Sequence, residues 1–232
     1  MRLGQQLFLV LVVSITGMSS ASAQLFNFDN CYVAGSFSGD FLTVEGSGRN
    51  TNGNFDASGK EHETNDAYAF AIGREFDYCD YQIRLESQYM FLNDSEFTLN
   101  SFPGPPGPYT FFYRGAFTDR FTSMSNLWID KPISENVEIY AGGGIGWSHF
   151  EFAASDGVVV SGKDDVDVAH QFGVGLTCKL LSNVEMDFGY RRMDLGTANT
   201  NLKTISGGAP SGNLNVDLDS DQLVLTLRVF RR

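Results

Sequence analysis

Apolar and polar residues alternate along several stretches of this chain, and this period of two constrains its fold more than any other feature. The clearest stretch is 81–91, where apolar side chains hold most odd positions and polar ones most even positions. Similar alternation covers 184–191 and 222–229. Successive side chains of a β-strand point to opposite faces, so each stretch predicts a strand with one apolar and one polar face.

Weaker alternation raises the number of predicted strands to eight, through 31–43, 67–76, 120–130, 138–152 and 167–180. Each is near the ~9–11 residues with which a tilted strand crosses a bilayer. Short links are predicted at 77–80, 131–137 and 181–183, and long links at about 44–66, 92–119, 153–166 and 193–221. An even number of strands with short periplasmic turns and long external loops is typical of bacterial outer-membrane barrels. The sequence therefore predicts an all-β fold, an eight-stranded antiparallel up-and-down transmembrane β-barrel.

Residues 1–23 have the features of a secretory signal peptide. Arg2 and the free amine form a short positive region, an apolar run begins at Leu7, and 21–23 gives a small-x-small cleavage pattern. The apolar run is shorter than the ~20 residues of a spanning helix, which disfavours the alternative of a retained anchor. We expect export, cleavage after Ala23, an outer-membrane β-barrel domain at 24–232, and localisation in the cell outer membrane.

The charge balance disfavours one class of partner. The chain has 16 Lys+Arg against 28 Asp+Glu, a formal net charge of −12. Proteins that bind nucleic acid need a positive surface to neutralise phosphates. We therefore expect no nucleic-acid partner.

Alternation alone does not say which face of the barrel points outward, because a soluble lipocalin-like barrel encloses its apolar face. The polar faces carry few charges and almost no lysine, which is unusual for a surface in water. Small residues line some of these faces, as a crowded eight-stranded interior requires: Ala67, Ala69, Ala71, Gly73, Gly142, Gly144 and Gly146. Aromatic residues gather near the predicted strand ends, where membrane interfaces favour them: Phe76, Tyr81 and Trp128 at one end, and Phe41, Tyr89, Phe121 and Trp147 at the other. Trp128 has lumen parity, so ordinary packing inside the barrel is its alternative. These features favour the membrane barrel, with the polar faces inside.

The polar faces then carry a set of charged side chains into the lumen: Glu75, Arg84, Glu86, Asp130, Glu138, Glu185, Asp187, Arg191 and Arg228. Buried charges are tolerated when they are paired and hydrogen-bonded. Because the last two strands are neighbours, Glu185 and Arg228 are expected to pair near the periplasmic end. We favour a structural network that fills the lumen, since eight strands barely leave room for the side chains. The alternative is that the same residues line a narrow porin-like channel for small solutes or ions.

Several segments carry a resemblance to a known family. Residues 125–130 (SNLWID) and 142–147 (GGGIGW) resemble the OmpA-like outer-membrane β-barrel family, and 171–176 (QFGVGL) and 184–194 (VEMDFGYRRMD) are similar to it as well. The resemblance covers nearly all of 30–230. It implies a small barrel that contacts outer-membrane lipids and the outer-membrane assembly machinery. One departure is the end of the chain, where Phe230 is followed by Arg231 and Arg232 instead of closing the sequence.

The motifs of this resemblance describe architecture and carry no chemistry. His149 and His170 share the outward parity on adjacent strands near Glu151, but such a set favours two interfacial histidines over a metal site. A Ser-His-acid set for lipid hydrolysis is not found, and no G-x-S-x-G motif occurs. We therefore expect no enzymatic activity, cofactor or metal, and a structural or surface-interaction role. An enzyme acting on envelope lipids is the least favoured alternative.

A proline-rich segment in the second long link carries four aromatic neighbours. Residues 103–108 (PGPPGP) are flanked by Phe102, Tyr109, Phe111 and Phe112. Aromatic side chains on a stiff exposed segment form a candidate contact surface for an extracellular partner. The alternative is that they pack over the mouth of the barrel.

The chain has three cysteines, an odd number for an oxidising compartment. Cys31 opens the first predicted strand and Cys79 lies in the first short turn, so both are expected at one end of neighbouring strands. This placement predicts a Cys31–Cys79 disulfide. Cys178 would then be a free thiol facing lipid.

Overall fold

The computed structural model describes residues 30–50, 55–103, 111–155 and 159–231. The described residues form nine strands: β1 (Cys31–Asn50), β2 (Phe55–Tyr78), β3 (Tyr81–Leu92), β4 (Ser95–Pro103), β5 (Phe111–Pro132), β6 (Val137–Ser155), β7 (Val159–Leu181), β8 (Val184–Thr204) and β9 (Pro210–Arg231). Among these residues there is no helix with the length and apolar character needed to cross a membrane.

The strands close into a barrel through antiparallel pairs. β1 pairs with β2 on one side and with β9 on the other, which completes the ring. β3 and β4 occupy one position in this ring, because both pair with β2 and with β5 and β4 continues beyond Asn93 and Asp94 in the direction of β3. The nine strands thus build the predicted eight-stranded antiparallel barrel. Closure pairs the strand edges that hydrocarbon does not tolerate.

The barrel is staggered. Cross-strand partners followed once around the ring from Cys31 lead back to β1 at Phe41, ten residues further along the strand. Such a stagger tilts the strands by about 35–45° to the barrel axis. Cross-strand partners therefore lie at different heights along the barrel axis, and residues at the same height in the lumen are not cross-strand partners.

The strands are longer than the sequence predicts. β2 has 24 residues and β9 has 22. Large parts of the four predicted long links belong to strands. For example, β1 continues to Asn50 and β9 already begins at Pro210. The short turns at 79–80, 133–136 and 182–183 agree with the predicted links and lie at one end of the barrel.

The strand extensions were missed because the apolar residues change face part of the way along the barrel. In β1, Val33, Phe37 and Phe41 point outward, whereas Leu42 and Val44 are completely buried inside. In β9 the outward apolar set ends at Leu223, and the next apolar residues along the barrel are the buried Leu218, Val216 and Leu214. The barrel therefore has an apolar exterior near the short turns and an apolar interior towards the other end.

The interior of the second part is a continuous hydrophobic cluster, which we call the apolar level. It contains Leu42, Val44, Ala67, Met90, Leu92, Phe97, Phe117, Phe150, Phe152, Ala154, Met193, Leu195, Ala198, Leu202, Leu214, Val216 and Leu218. Its aromatic centre is Phe117, whose ring centroid lies 5.0 Å from that of Phe152 and 5.3 Å from that of Phe97.

Irregular strand pairing occurs near the height at which the apolar face changes. The register shifts between Thr118 and Phe121 in β5 and between Asp194 and Thr197 in β8. A bulge adds one residue to one strand and moves the following side chains to the other face. In β5, Asp119 has a φ of 49° and its N–H donates to Asp94 Oδ1 at 3.2 Å. Arg120 keeps the inward parity of Thr122, and beyond the bulge the parity changes so that Phe117 lies in the interior.

The predicted Cys31–Cys79 disulfide is not formed, and all three cysteines are free thiols. Cys31 is the cross-strand partner of Arg74, and Cys79 lies five residues beyond Arg74 in the turn after β2. At ~3.3 Å per residue this offset exceeds the ~4.4–6.8 Å between the Cα atoms of a disulfide. The prediction placed both residues at the same end correctly but did not account for the extension of β2 past the start of β1.

Candidate functional site

The nine charged residues that the sequence places in the lumen all point inward, and each is at most 7% exposed. They lie in the part of the barrel near the short turns, and we call this part the charged level. Its organisation follows from two arginines on different strands, Arg84 on β3 and Arg228 on β9.

Arg84 binds two carboxylates. Its Nε donates to Asp130 Oδ2 at 2.7 Å and its Nη2 to Asp130 Oδ1 at 2.8 Å, a two-point contact that fits the planar guanidinium. Its Nη1 donates to Asp187 Oδ2 at 3.2 Å. The guanidinium carbon also lies 5.1 Å from the centroid of the Tyr140 ring.

Arg228 binds three carboxylates and shares one of them with Arg84. Its Nη2 lies 2.8 Å from Asp187 Oδ1 and 3.1 Å from Glu185 Oε2, and its Nη1 lies 3.5 Å from Glu75 Oε1. The expected contact between Glu185 and Arg228 is therefore present. Since Asp187 accepts from both arginines, six of the nine residues form one continuous network across the lumen.

The other three predicted residues have separate partners. Glu86 accepts hydrogen bonds from the Tyr32 hydroxyl at 3.1 Å and from the Asn126 amide at 3.0 Å. Glu138 lies 2.5 Å from Lys179 Nζ at the short-turn end.

Arg191 is the third of these residues. Its guanidinium stands 5.1 Å from the centroid of the Trp128 ring, and its Nη1 donates to Gln88 Oε1 at 3.3 Å. Trp128 is buried inside the barrel, which agrees with the packing alternative that its lumen parity indicates and not with a place among the interfacial aromatic residues.

Sequence reasoning missed the neutral partners of these charges. Gln88 Oε1 accepts from Asn126 and from Gln171, both at 3.3 Å, and Thr177 donates to Asp187 at 2.8 Å. Their inward parity was available in the sequence, for example in Gln88, which lies two residues after Glu86. The same holds for Lys179, which lies two residues after the inward Thr177 and before the register irregularity that follows it.

Glycine provides the space for a large ring in this level. A Cβ added at Gly189 would lie 2.1 Å from the Tyr140 hydroxyl oxygen, and one added at Gly175 would lie 2.6 Å from the ring. Tyr140 can therefore pack against Arg84 only if both positions lack a side chain. In β7 and β8, the packing of Tyr140 thus explains why glycine occurs at Gly175 and Gly189.

The remaining candidate residues do not assemble into a site. His149 is the cross-strand partner of Val166, whereas His170 is that of Ile145, an offset of four residues or roughly 13 Å along the strand. His149 stacks on Phe121 at 4.6 Å between ring centroids, and His170 Nε2 lies 3.7 Å from Asp194 Oδ2. Within the described ranges, no three His, Cys, Asp or Glu residues are placed to hold a metal ion.

Two further expectations fall on parts that the structure does not describe. The signal peptide at 1–23 lies outside the described residues. In the candidate loop contact surface, Tyr109 lies outside them, as do the side chains of Phe102, Phe111 and Phe112.

Comparison with protein families identifies the architecture. The family described as "Outer membrane protein beta-barrel domain" matches residues 8–210. This chain belongs to that family, and it is a protein of the outer membrane. A search of the curated proteins gives no match.

Solved structures similar to this chain are also outer-membrane barrels. The outer membrane protease OmpT from Escherichia coli is 9% identical, with 93% of this chain and 99% of that chain covered and a TM-score of 0.55. Neisserial surface protein A is 13% identical, with 88% and 98% covered and a TM-score of 0.46. OprG from Pseudomonas aeruginosa is 11% identical, with 88% and 98% covered and a TM-score of 0.49. At such identities the likeness concerns the fold alone.

Proposed function

We propose that this protein is a closed, non-enzymatic outer-membrane barrel with a structural or surface-interaction role. The observation that carries the proposal is the filling of the lumen at two heights. Near the short turns Arg84 and Arg228 and their carboxylates join opposite walls, and further along the aromatic cluster around Phe117 fills the interior. A hydrated ion would have to break both sets of contacts to pass.

The outer surface supports the second half of this proposal. Above the apolar exterior, outward positions carry acidic side chains, including Glu45, Glu96, Glu151, Asp217 and Asp219. Apart from Glu96, whose strand pairs only with β5 at that position, these side chains stand where the strand is paired on both sides, so the barrel extension presents them from a fixed frame. An acidic surface of this kind would favour partners with positive charge.

Planar-bilayer recording tests whether the barrel is closed. The refolded wild-type protein is expected to give no conductance steps in concentrated KCl. Steps in the wild-type protein would contradict a closed lumen and favour the alternative, a narrow channel for small solutes or ions.

A pair of neighbouring arginines provides a matched control for this alternative. Arg191 points into the lumen and Arg192 points outward. If the protein conducts through its lumen, Arg191→Ala changes the ion selectivity and Arg192→Ala leaves it unchanged. Equal effects of both substitutions would place the conducting path outside the lumen.

We also propose that the chain is exported and that residues 1–23 are removed. The support is the charge, length and cleavage pattern of this segment. Intact-mass measurement of the protein from outer membranes is expected to give a chain that begins at Gln24. A mass that includes residues 1–23 would contradict cleavage.

A further inference from the structure

Several buried polar side chains lie at the border of the charged level and the apolar level, beside members of the apolar level such as Met90 and Leu92, and we call this set the middle level. It consists of Asp40, Ser95, Arg120, Thr122 and Gln222, which are between 0% and 4% exposed. These residues come from β9, β1, β4 and β5, so they line one side of the interior.

Each of the five residues has one polar atom without a hydrogen-bond partner among the described residues. These atoms are Asp40 Oδ2, Ser95 Oγ, Arg120 Nη2, Thr122 Oγ1 and Gln222 Oε1. Buried polar atoms in folded proteins are nearly always hydrogen-bonded, and leaving them without a partner is costly. Five such atoms in one set require a common explanation.

Register and contacts show that three of these residues meet across the lumen. Asp40 and Gln222 are cross-strand partners on β1 and β9. The Gln222 amide crosses the interior and donates to Met90 Sδ at 3.5 Å. Met90 is in turn the cross-strand partner of Thr122 on β5. Asp40, Gln222 and Thr122 therefore border one shared space.

Arg120 borders the same space and is only partly satisfied. Its Nη1 donates to the carbonyl oxygen of Asn93 at 2.9 Å, which leaves Nη2 free of described partners. Asp40, Glu63 and Asp94 are the acidic groups whose charges act on its guanidinium. Asp40 already accepts the Ser220 hydroxyl on Oδ1, and it makes no direct ion pair with Arg120 among the described residues.

Small side chains leave room beside these groups. On the side of Asp40 that faces the charged level, the inward positions hold Ser38 on β1 and Ala67 and Ala69 on β2, while the cross-strand partner of Asp40 is Asn65. The unpartnered atoms include both hydrogen-bond donors and acceptors, so a simple cation would be repelled by Arg120 and a simple anion by Asp40. The species that fits must donate and accept hydrogen bonds and must be small.

We propose that the middle level is a buried water site, in which a cluster of ordered water molecules bridges Asp40 to Arg120 and satisfies Ser95, Thr122 and Gln222. Buried waters typically make about three hydrogen bonds each to polar groups of this kind. The lumen is thus hydrated where the charged network borders the hydrophobic cluster. The inference does not depend on the proposed function, since a closed barrel and a conducting one can both hold internal water.

Radiolytic footprinting tests this proposal directly, because hydroxyl radicals formed from a trapped water oxidise the side chains next to it even when they are buried. Met90 is 2% exposed and contacts Gln222, so it is the natural reporter. The matched control is Leu214→Met, which places the same side chain at a completely buried position in the apolar level. In full-length protein in lipid nanodiscs, we expect Met90 to be oxidised at least several-fold faster than Met at position 214. Equal rates would overturn the proposal.

The stability of an isosteric variant gives a second readout. Thr122→Val removes one unpartnered hydroxyl with almost no change of shape. If water satisfies this hydroxyl, the urea midpoint of unfolding falls. Thr226→Val is the positive control and lowers the midpoint as well, because the Thr226 hydroxyl lies 2.8 Å from that of Ser36. If the middle level is dry, Thr122→Val removes an unsatisfied group and the midpoint stays or rises, which would overturn the proposal. The footprinting result on the unaltered chain stands even if a variant fails to fold.

Discussion

Asp187 is the residue on which the charged level depends most, because its two oxygens accept from two different arginines. Arg84 reaches Oδ2 and Arg228 reaches Oδ1, while Thr177 donates to Oδ1 as well. A carboxylate held in this way fixes the relative positions of β3, β8 and β9 in the lumen. Removing any one partner leaves other buried charges without compensation.

We expect Arg84→Met to destabilise the barrel by about 3–5 kcal/mol, because Asp130 would remain buried without its cation and Asp187 would keep only Arg228. The control is Arg192→Met, which breaks a 3.4 Å contact to Asp219 between half-exposed side chains and should cost about 0–1 kcal/mol. Urea unfolding in lipid vesicles, followed by the mobility of unboiled samples on a denaturing gel, measures both. Equal losses of stability would contradict the special role of the buried network.

For single residues, the sequence predicted which charges point inward and the contact between Glu185 and Arg228, but not the rest of the network. Parity along a strand is enough to place Glu75, Arg84 and Arg228 in the lumen. The sharing of Asp187 depends on the ten-residue stagger, which brings residues of distant register positions to one height. A single sequence does not specify that stagger, so Glu138 was grouped with a network that it does not join.

Among the elements, β4 is held by side chains where strand pairing is missing. Its ladder to β2 covers only four residue pairs, Phe55↔Pro103 to Ser58↔Asn100. Below them, the N–H of Glu96 donates to Glu63 Oε1 at 3.1 Å and the N–H of Thr98 to Glu61 Oε2 at 2.5 Å. Two carboxylates of β2 thus take the place of backbone carbonyls.

We therefore expect the double substitution Glu61→Ala and Glu63→Ala to loosen β4 locally. The loss of charge-assisted hydrogen bonds of about 1.5–3 kcal/mol each should speed amide hydrogen exchange at Glu96 and Thr98 by roughly tenfold or more. Glu45→Ala is the control, since Glu45 pairs with Lys60 at 3.3 Å on the exposed surface. Unchanged exchange at both amides in the double variant would contradict this role of the two glutamates.

The apolar level is expected to behave as a packed protein core. Phe117 is completely buried among Phe97, Phe150 and Phe152. Phe117→Ala should therefore cost about 3–5 kcal/mol through lost burial and a residual cavity.

For comparison, Ile205→Ala changes a 56% exposed side chain in the turn at 205–209 and should change stability by less than about 0.5 kcal/mol. The same urea assay measures both variants. A loss below about 1 kcal/mol for Phe117→Ala would mean that this part of the barrel is loosely packed.

The sequence predicted the strands correctly only where the apolar side chains stay mostly on the outer face of the strand. Residues 81–91 and 222–229 keep most of their apolar side chains on the outer face, with Met90 and Val224 as the exceptions, and both were identified as strands. Beyond Phe41 in β1 and Leu223 in β9 the apolar residues lie on the inner face. The alternation is therefore not continuous with the rest of the strand, and these extensions were predicted as loops. Bulges such as the one at Thr118–Phe121 change the parity again and leave no signal in a single sequence.

For the whole molecule, membership of the outer-membrane family predicts which side of the membrane the short turns face. In such barrels the short turns face the periplasm, and the longer connections face the exterior. The strand extensions with their apolar interior then project from the cell surface. This orientation can be measured on living cells.

We expect Asp219→Cys, in a variant whose three cysteines are replaced by serine, to react with a membrane-impermeant maleimide on intact cells. Glu135→Cys, in the short turn at 133–136, is the matched control and should react only after the outer membrane is permeabilised. The side chains at both positions are accessible from outside the barrel, so a difference between them reports sidedness. Labelling of Glu135→Cys alone on intact cells would mean the opposite orientation.

The apolar residues change from the outer to the inner face of the barrel at one height, and this also limits how far the barrel can move along the membrane normal. On the outside of the ring, Phe41 is the cross-strand partner of Asp221, and Asp219 follows at the next outward position. A shift inward by one such position, roughly 5 Å along a tilted strand, would carry carboxylates into hydrocarbon, and a shift outward would expose aromatic rings to water. The protein is therefore matched to one hydrocarbon thickness, and a thinner or thicker bilayer would have to deform around it.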